Sequence, residues 1–323
     1  MKRVTFGAFL AVALSTAFSA EPAKPKPVAE SFSFGGVDRR ALVYTGASPA
    51  RGLVLLLHGH AGNADQLLGE RFGRAPYRVF IRIAEREGWV VVAPDGLAGG
   101  DGRRGWNDCR LSSTNPSSDD AGFLEELVTR VAARHGVEKG RWFVAGTSNG
   151  GEMVIRLALE KPRLFRAFAA VVAEMPAKSR CAAPMLGVPI LFMNGTADPF
   201  MPWNGGTVAG EGSGRGAVLS TDRTVDLFRK LNGATGEPVV EPLPDLDTKD
   251  GSRVIRSTWK PAKGGAPVVL YRVDGGGHVE PSTAERYRGL VTAVLGRQNG
   301  DIEMADEIFR FFLSQLASPP RGH

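Results

Sequence analysis

Apolar residues in this chain fall into short continuous runs, and between the runs the apolar spacing changes to a helical one. Leu53-Val54-Leu55-Leu56-Leu57, Trp89-Val90-Val91-Val92-Ala93, Trp142-Phe143-Val144-Ala145, Ala167-Phe168-Ala169-Ala170-Val171-Val172, Val188-Pro189-Ile190-Leu191-Phe192-Met193 and Val268-Val269-Leu270-Tyr271-Arg272-Val273 have the length of strands. Most lack polar alternation, which predicts strands covered on both faces. Residues 79–87, the set Phe123, Leu124, Leu127, Val128 and Val131, and residues 152–159 have the period of helices that bury one stripe. Asp119 and Asp120 precede the second of these and are expected to cap it and favour its positive end; without a neighbouring histidine they do not make a metal site.

Ahead of this series, residues 31–34 and 40–44 flank Gly35-Gly36, which predicts an opening hairpin. After it come a helix at 225–231, a polar insertion over 233–266 with a strand near 254–259, and a closing helix from about 301 to 316. Strand alternating with helix predicts the α/β class, with a mostly parallel central sheet and helices on both faces.

Three loops carry the candidate chemistry. Gly146-Thr147-Ser148-Asn149-Gly150 lies between a strand and a helix, where a sharp turn lifts a serine hydroxyl above the sheet edge. In so glycine-rich a chain the string is a weak signal, so its surroundings must carry the assignment. Upstream, the run 53–57 leads into His58-Gly59-His60-Ala61-Gly62-Asn63, a turn able to lay a backbone N–H beside the serine. The oxyanion donors are then expected to be the amides of His60 and Asn149. The side chains of His58 and His60 are read as shaping the loop.

Downstream, Asn194-Gly195-Thr196-Ala197-Asp198-Pro199 leaves the carboxyl end of a strand, where catalytic groups of open α/β sheets collect. Asp198 is read as the acid, although Asp before Pro also caps turns. Only His278 and His323 follow it, and His278 closes the flexible Asp274-Gly275-Gly276-Gly277 segment after a strand. Asp274 is a rival acid by proximity, on the wrong side of the glycines. Ser148, Asp198 and His278 thus occur in the chain order of α/β hydrolases, and the chemistry expected is acyl transfer through an acyl-enzyme, with neither cofactor nor metal.

Leu57-His58-Gly59, Pro94-Asp95-Gly96, Gly105-Trp106-Asn107-Asp108, Gly146 to Gly151, Asn194 to Pro199, Pro202-Trp203 and Gly275 to His278, in that order, resemble the secreted polyhydroxybutyrate depolymerase and feruloyl esterase family, over roughly residues 35–316. The resemblance implies an α/β-hydrolase fold and an esterase acting on polyesters, oligoesters or acyl groups of plant polysaccharides. Its triad maps onto Ser148, Asp198 and His278. Leaning on it, Trp106 and Trp203 are placed along the substrate groove, because flat aromatics suit sugar rings and feruloyl groups. One departure is that Val279-Glu280-Pro281-Ser282 follows His278 where many members carry a tryptophan-containing segment.

Composition adds the compartment. Residues 1–20 have a basic start, an apolar core and small residues before a cleavage point, and read as a secretory signal peptide. Residues 21–30, with Pro22, Pro25 and Pro27, read as a flexible lead-in, and 31–318 as a single catalytic domain. Export to the extracellular space or periplasm makes Cys109 and Cys181 a candidate disulfide between active-site loops, the alternative being two buried thiols. The net charge of +6 loses Lys2 and Arg3 with the signal, and the remaining Lys and Arg form no stripe among aromatics, which speaks against nucleic acid as a partner. No stable membrane insertion is expected of the mature chain, and the sequence specifies no oligomeric state.

Residues 204–217 hold Gly205, Gly206, Gly210, Gly212, Gly214 and Gly216, and read either as a mobile loop at the cleft or as a disordered connector. The competing functions are a serine peptidase of the same fold and a non-catalytic carbohydrate-binding relative. The former usually carries a large N-terminal module, and the latter has no need of all three triad residues.

Overall fold

The computed structural model describes residues 1, 26–71, 73–111, 113–181, 186–261 and 264–317. The expected signal peptide lies outside the described residues, apart from Met1.

The strands, in chain order, are β1 (Val28–Phe34), β2 (Val37–Thr45), β3 (Gly52–Leu57), β4 (Trp89–Pro94), β5 (Leu97–Ala98), β6 (Arg104–Gly105), β7 (Trp142–Thr147), β8 (Ala167–Val171), β9 (Ile190–Gly195), β10 (Gly206–Thr207), β11 (Ala217–Val218), β12 (Val239–Pro242), β13 (Arg253–Trp259) and β14 (Val268–Asp274). The helices are α1 (Ala64–Leu67), α2 (Val79–Glu87), α3 (Asp120–His135), α4 (Asn149–Glu160), α5 (Thr221–Leu231), α6 (Leu290–Leu295) and α7 (Met304–Leu316).

Ten strands form one sheet in the order β1-β2-β4-β3-β7-β8-β9-β14-β13-β12. From β4 to β14 every neighbouring pair is parallel, while β1, β2, β13 and β12 join antiparallel at the two edges. The apolar runs of the sequence are these parallel strands. β3, β4, β7, β8 and β9 are buried along their whole length because both faces are covered. One face packs against α3, α4 and α5 through residues such as Phe123, Leu127, Val154 and Phe228. The other packs against α2 and α7 through Phe80, Ile83, Ile308 and Phe312.

Several expectations shift at the edges. The opening hairpin begins at Val28, inside the expected lead-in of 21–30, because Val28 pairs with Val43 in the ladder although its side chain is exposed. The helix expected at 225–231 starts at Thr221, where the Ser220 side chain accepts from the Arg223 amide. The polar insertion supplies β12 as well as β13, which a period-based reading misses because all four residues of β12 are exposed.

The glycine-rich segment is an ordered hairpin. β10 and β11 pair antiparallel, and Gly205, Gly206, Gly210, Gly212, Gly214 and Gly216 all have positive φ, so the repeated glycines serve turn geometry. Among the described residues no helix is long and apolar enough to cross a membrane.

Candidate active site

Ser148 is the single residue between β7 and α4, with φ 52° and ψ −125°. This strained conformation persists because both sides are locked: the Ser148 amide donates to the Val171 carbonyl at 2.9 Å, and its carbonyl accepts the Glu152 amide at 2.8 Å. The glycines of the motif have steric reasons. A Cβ on Gly150 would overlap the Leu57 and His58 carbonyls, and one on Gly146 would overlap the carbonyl of Gly150. The turn is possible only where β7, β3 and the first turn of α4 touch backbone to backbone.

The loops that follow β9 and β14 are zipped together. The Gly275 amide donates to Thr196 Oγ1 and the Ala197 amide to the Gly276 carbonyl, each at 2.9 Å, while a Cβ on Gly195 would overlap Gly276. This aligns Asp198 with His278. His278 Nδ1 lies 2.7 Å from Asp198 Oδ2, and His278 Nε2 lies 2.9 Å from Ser148 Oγ. The Asp198 carboxylate is 2% exposed, and its Oδ1 accepts the amides of Phe200 and Met201 at 2.7 Å each. Accordingly Nδ1 carries the proton given to Asp198, leaving Nε2 to accept from the hydroxyl. Such an arrangement can take a proton from Ser148 without moving a heavy atom. Asp274, the rival acid, pairs instead with Arg272 at 2.9 Å.

The loop after β3 lies against the serine: a Cβ on Gly59 would be 3.2 Å from Ser148 Cβ. His58 is 1% exposed, its Nε2 accepting the Gly96 amide at 2.9 Å and its Nδ1 lying 2.7 Å from the Gly59 carbonyl, and burial depresses its pKa to about 4. It is a neutral brace for the loop. His60 is likewise lowered to about 4, by burial and then by the nearby Arg215 charge, and its Nε2 lies 2.9 Å from Asp101 Oδ2. Both imidazoles therefore shape the loop.

Below the elbow is a buried polar set that sequence reasoning missed. The Asn149 side chain accepts the Trp106 amide at 2.7 Å and donates to Asp108 Oδ2 at 3.0 Å. Arg110, fully buried, donates to both Glu152 oxygens at 2.7 and 3.0 Å and to Asp108 Oδ2 at 2.9 Å. Burial, with Asp108 adding and Arg110 opposing, pushes the Glu152 carboxyl up to about 8. One guanidinium and two carboxylates are electrically balanced when the carboxylates hold one proton between them, and a dry site favours that state. Nearby, burial raises Glu174 well above the carboxylate range, its hydrogen bond from Thr221 opposes this, and the charge of Asp198 adds to it. The one sequence signal for this set was an acidic residue, Glu152, inside the apolar run of α4.

Cys109 and Cys181 form a disulfide, with Cα atoms 5.6 Å apart. It joins the loop carrying Asp108 and Arg110 to the segment before β9, where the Arg180 amide also donates to the Cys109 carbonyl at 2.9 Å. In the segment that departs from the family pattern, Glu280 accepts from Thr147 Oγ1 and braces the residue before Ser148.

One placement needs correction. Trp106 does not line a groove: it is fully buried, its Nε1–H donates to the His58 carbonyl at 2.8 Å, and the Arg39 guanidinium lies 5.5 Å from its ring. Because Asn149 pins the Trp106 backbone beneath the elbow, the indole turns into the core. Asp119 caps α3 and Asp120 lies in its first turn, as expected; Asp120 is also fully buried and pairs with Arg39 at 2.6 Å, besides accepting the Asn107 amide at 2.7 Å. It ties the β2 edge to the Trp106 loop. Trp203 remains partly exposed while packing against the core.

Residues 41–184 match the sequence model of the family described as esterase PHB depolymerase. The NocK protein of Nocardia uniformis subsp. tsuyamanensis, whose name marks it as an esterase by inference, is 28% identical over 271 residues, covering 81% of this chain and 74% of NocK. Feruloyl esterase B of Piromyces equi is 26% identical over 203 residues, covering 62% of this chain and 35% of that protein. The chain thus spans about a third of that relative's length. Among solved structures, the acetyl xylan esterase of Aspergillus awamori superposes with a TM-score of 0.55 at 13% identity, over 88% of this chain and 98% of that one, a likeness of fold. The sheet, the elbow and these matches together make the chain a carboxylic ester hydrolase of the α/β-hydrolase fold, similar over residues 41–184 to the esterase PHB depolymerase family.

Proposed function

We propose that Ser148, His278 and Asp198 are the nucleophile, base and acid of an exported serine esterase that cleaves hydroxyalkanoate oligomers or the acyl esters of polysaccharides. The observation that carries this is the unbroken line from Ser148 Oγ through both nitrogens of His278 to a carboxylate that is itself held by two amides. His278 Nε2 accepts the hydroxyl proton as Oγ attacks the carbonyl carbon, and Asp198 stabilises the imidazolium. The amides of His60 and Asn149 receive the developing oxyanion. The imidazolium then protonates the leaving alcohol, and water repeats the cycle on the acyl-enzyme.

Trp203, partly exposed where the chain leaves the Asp198 loop, is the aromatic assigned to the substrate groove. Export rests on the leader-like residues 1–20 and on a disulfide that an oxidising compartment maintains. The substrate class rests on the feruloyl and acetyl xylan esterases among the similar proteins and on the family's name.

The test is hydrolysis by the mature protein and by Ser148→Ala of p-nitrophenyl acetate and butyrate, methyl ferulate, acetylated xylan and hydroxybutyrate oligomers. Turnover that vanishes in the variant supports the assignment, and the preferred ester separates the polyester from the polysaccharide branch. Turnover that survives Ser148→Ala overturns it.

A further inference from the structure

The hairpin formed by β10 and β11 holds an arginine that makes no ion pair among the described residues. Arg215 sits between Gly214 (φ 68°) and Gly216 (φ 70°), and this pair of left-handed residues fixes where its side chain leaves the backbone. The clamp is tight. The Thr114 amide donates to the Gly214 carbonyl at 3.0 Å, the Val208 amide to the Gly216 carbonyl at 2.9 Å, and the Arg215 amide to Ser213 Oγ at 3.2 Å. A Cβ on Gly216 would come within 2.8 Å of the Leu111 carbonyl, so the hairpin is seated on the loop that carries Arg110.

The guanidinium lies in reach of the site. Thr114, whose amide bonds the Gly214 carbonyl, also donates through Oγ1 to Asp101 Oδ2 at 3.4 Å, and Asp101 faces His60 at 2.9 Å, so the hairpin sits against the loop after β3, and the Arg215 charge is felt at His60, Asp101 and Glu152. Arg215 is half-buried. Its Nε is buried without an acceptor, and among the described residues no carboxylate comes within ion-pairing distance of it.

The neighbouring acids are committed elsewhere. Asp101 faces His60 at 2.9 Å, and Asp108 and Glu152 hold Arg110 at 2.9 and 2.7 Å. The fully buried Arg110 and the buried Arg39 each have a carboxylate, at 2.7 and 2.6 Å. Asp101, Asp108 and Glu152 attract this guanidinium from a distance but none pairs with it directly, and a planar fork of donors held partly out of water matches one kind of group best, a carboxylate taken in two parallel hydrogen bonds.

We propose that Arg215 is a specificity-determining residue that binds a carboxylate carried by the ester substrate, beside the bond that is cut. This rests on the Ser148 reading above and sharpens its substrate class to anionic esters. A linear hydroxyalkanoate oligomer ends in such a carboxylate, and a polysaccharide can supply one as a uronate.

The experiment compares kcat/KM for the hydroxybutyrate dimer as the free acid and as its methylamide, using the mature wild type, Arg215→Met and Arg215→Lys. The expected result is a wild-type preference for the free acid that falls about 10- to 100-fold in Arg215→Met, chiefly through KM, and is partly restored in Arg215→Lys. Because the readout is a ratio, a general loss of folded enzyme cancels. A parallel comparison of acetylated xylan oligosaccharides with and without a uronate identifies the source of the carboxylate, since the Arg215-dependent preference then appears in that pair and not in the dimer pair. No preference in the wild type, or a preference unchanged in Arg215→Met, in both pairs overturns the proposal. Loss of p-nitrophenyl butyrate turnover in Ser148→Ala reports on the catalytic reading alone, so the two can fail separately.

Discussion

On the Ser148 side of the site, position is set by side chains. Asn149, Asp108, Arg110 and Glu152 form a closed set beneath the elbow, each buried and each bonded to another. On the His278 side, position is set by backbone: Gly195, Gly275, Gly276 and Gly277 let two loops interlock, and the His278 amide donates to the Leu295 carbonyl at 2.6 Å. The first arrangement confines charge where water cannot screen it. The second keeps the loops close enough to hold an imidazole between an acid and a hydroxyl, with little charge beyond that of Asp198. The strained serine thus rests on the side built from charged side chains, and His278 on the side built from turns.

The largest effect separates chemistry from support. Ser148→Ala and His278→Ala are each expected to lower kcat by about 10⁴-fold or more, with the double variant little worse than either, because the two groups act as a unit. If the double variant is additive in steady-state assays, the line of hydrogen bonds is not the reaction path.

Next comes the buried set. Arg110→Met leaves two carboxylates without their cation and is expected to cost about 3–5 kcal/mol in denaturant unfolding. Asp274→Asn, at the exposed Arg272 pair on the other side, should stay within about 0.5 kcal/mol. Equal losses at the two positions would remove the distinction between the walls.

The disulfide lies on the Ser148 side. Replacing Cys109 and Cys181 by serine is expected to cost about 2–4 kcal/mol, read as a lower Tm, since it closes a loop with a sequence separation of 72.

The pH dependence sharpens the same contrast. The folded state raises Glu152 from its ordinary 4.5 to about 8, so it binds a proton that the unfolded chain has already released. Its contribution is full below about pH 4.5 and is lost as pH rises through about 8. Tm should decline across that window, and Glu152→Gln should flatten the decline. A wild-type Tm that climbs toward pH 8 would show that the carboxylates hold no proton.

The smallest effect concerns the two tryptophans. Trp203→Ala is expected to raise KM by about 3- to 10-fold on aromatic esters, whereas Trp106→Phe should cost about 1 kcal/mol of stability through the lost bond to the His58 carbonyl, as read by unfolding.

These contrasts also mark where the sequence was legible. Strands buried on both faces announce themselves as apolar runs, which is why β3, β4, β7, β8 and β9 fall where the pattern puts them. β12, wholly exposed, carries no such signature. The glycines and the serine of the elbow, and the order Ser148, Asp198, His278, are local or ordinal features that a linear reading can hold. Arg110 and Glu152 are 42 positions apart and joined only by folding, so nothing in their spacing marks them as a pair. Trp106 shows the opposite failure. Its motif was visible, but which way the indole points depends on Asn149, 43 residues on, fixing its backbone.

By itself, the sequence determined the α/β alternation, the strained turn at Ser148 and the pool of residues from which acid and base are drawn, because these follow from periodicity, glycine and chain order. Tertiary structure alone decided which charges share a dry site, which tryptophan stays at the surface, and that the Arg215 side chain makes no ion pair among the described residues. Those outcomes depend on burial and on distances between segments far apart in the chain, and neither quantity is a property of any one stretch of sequence.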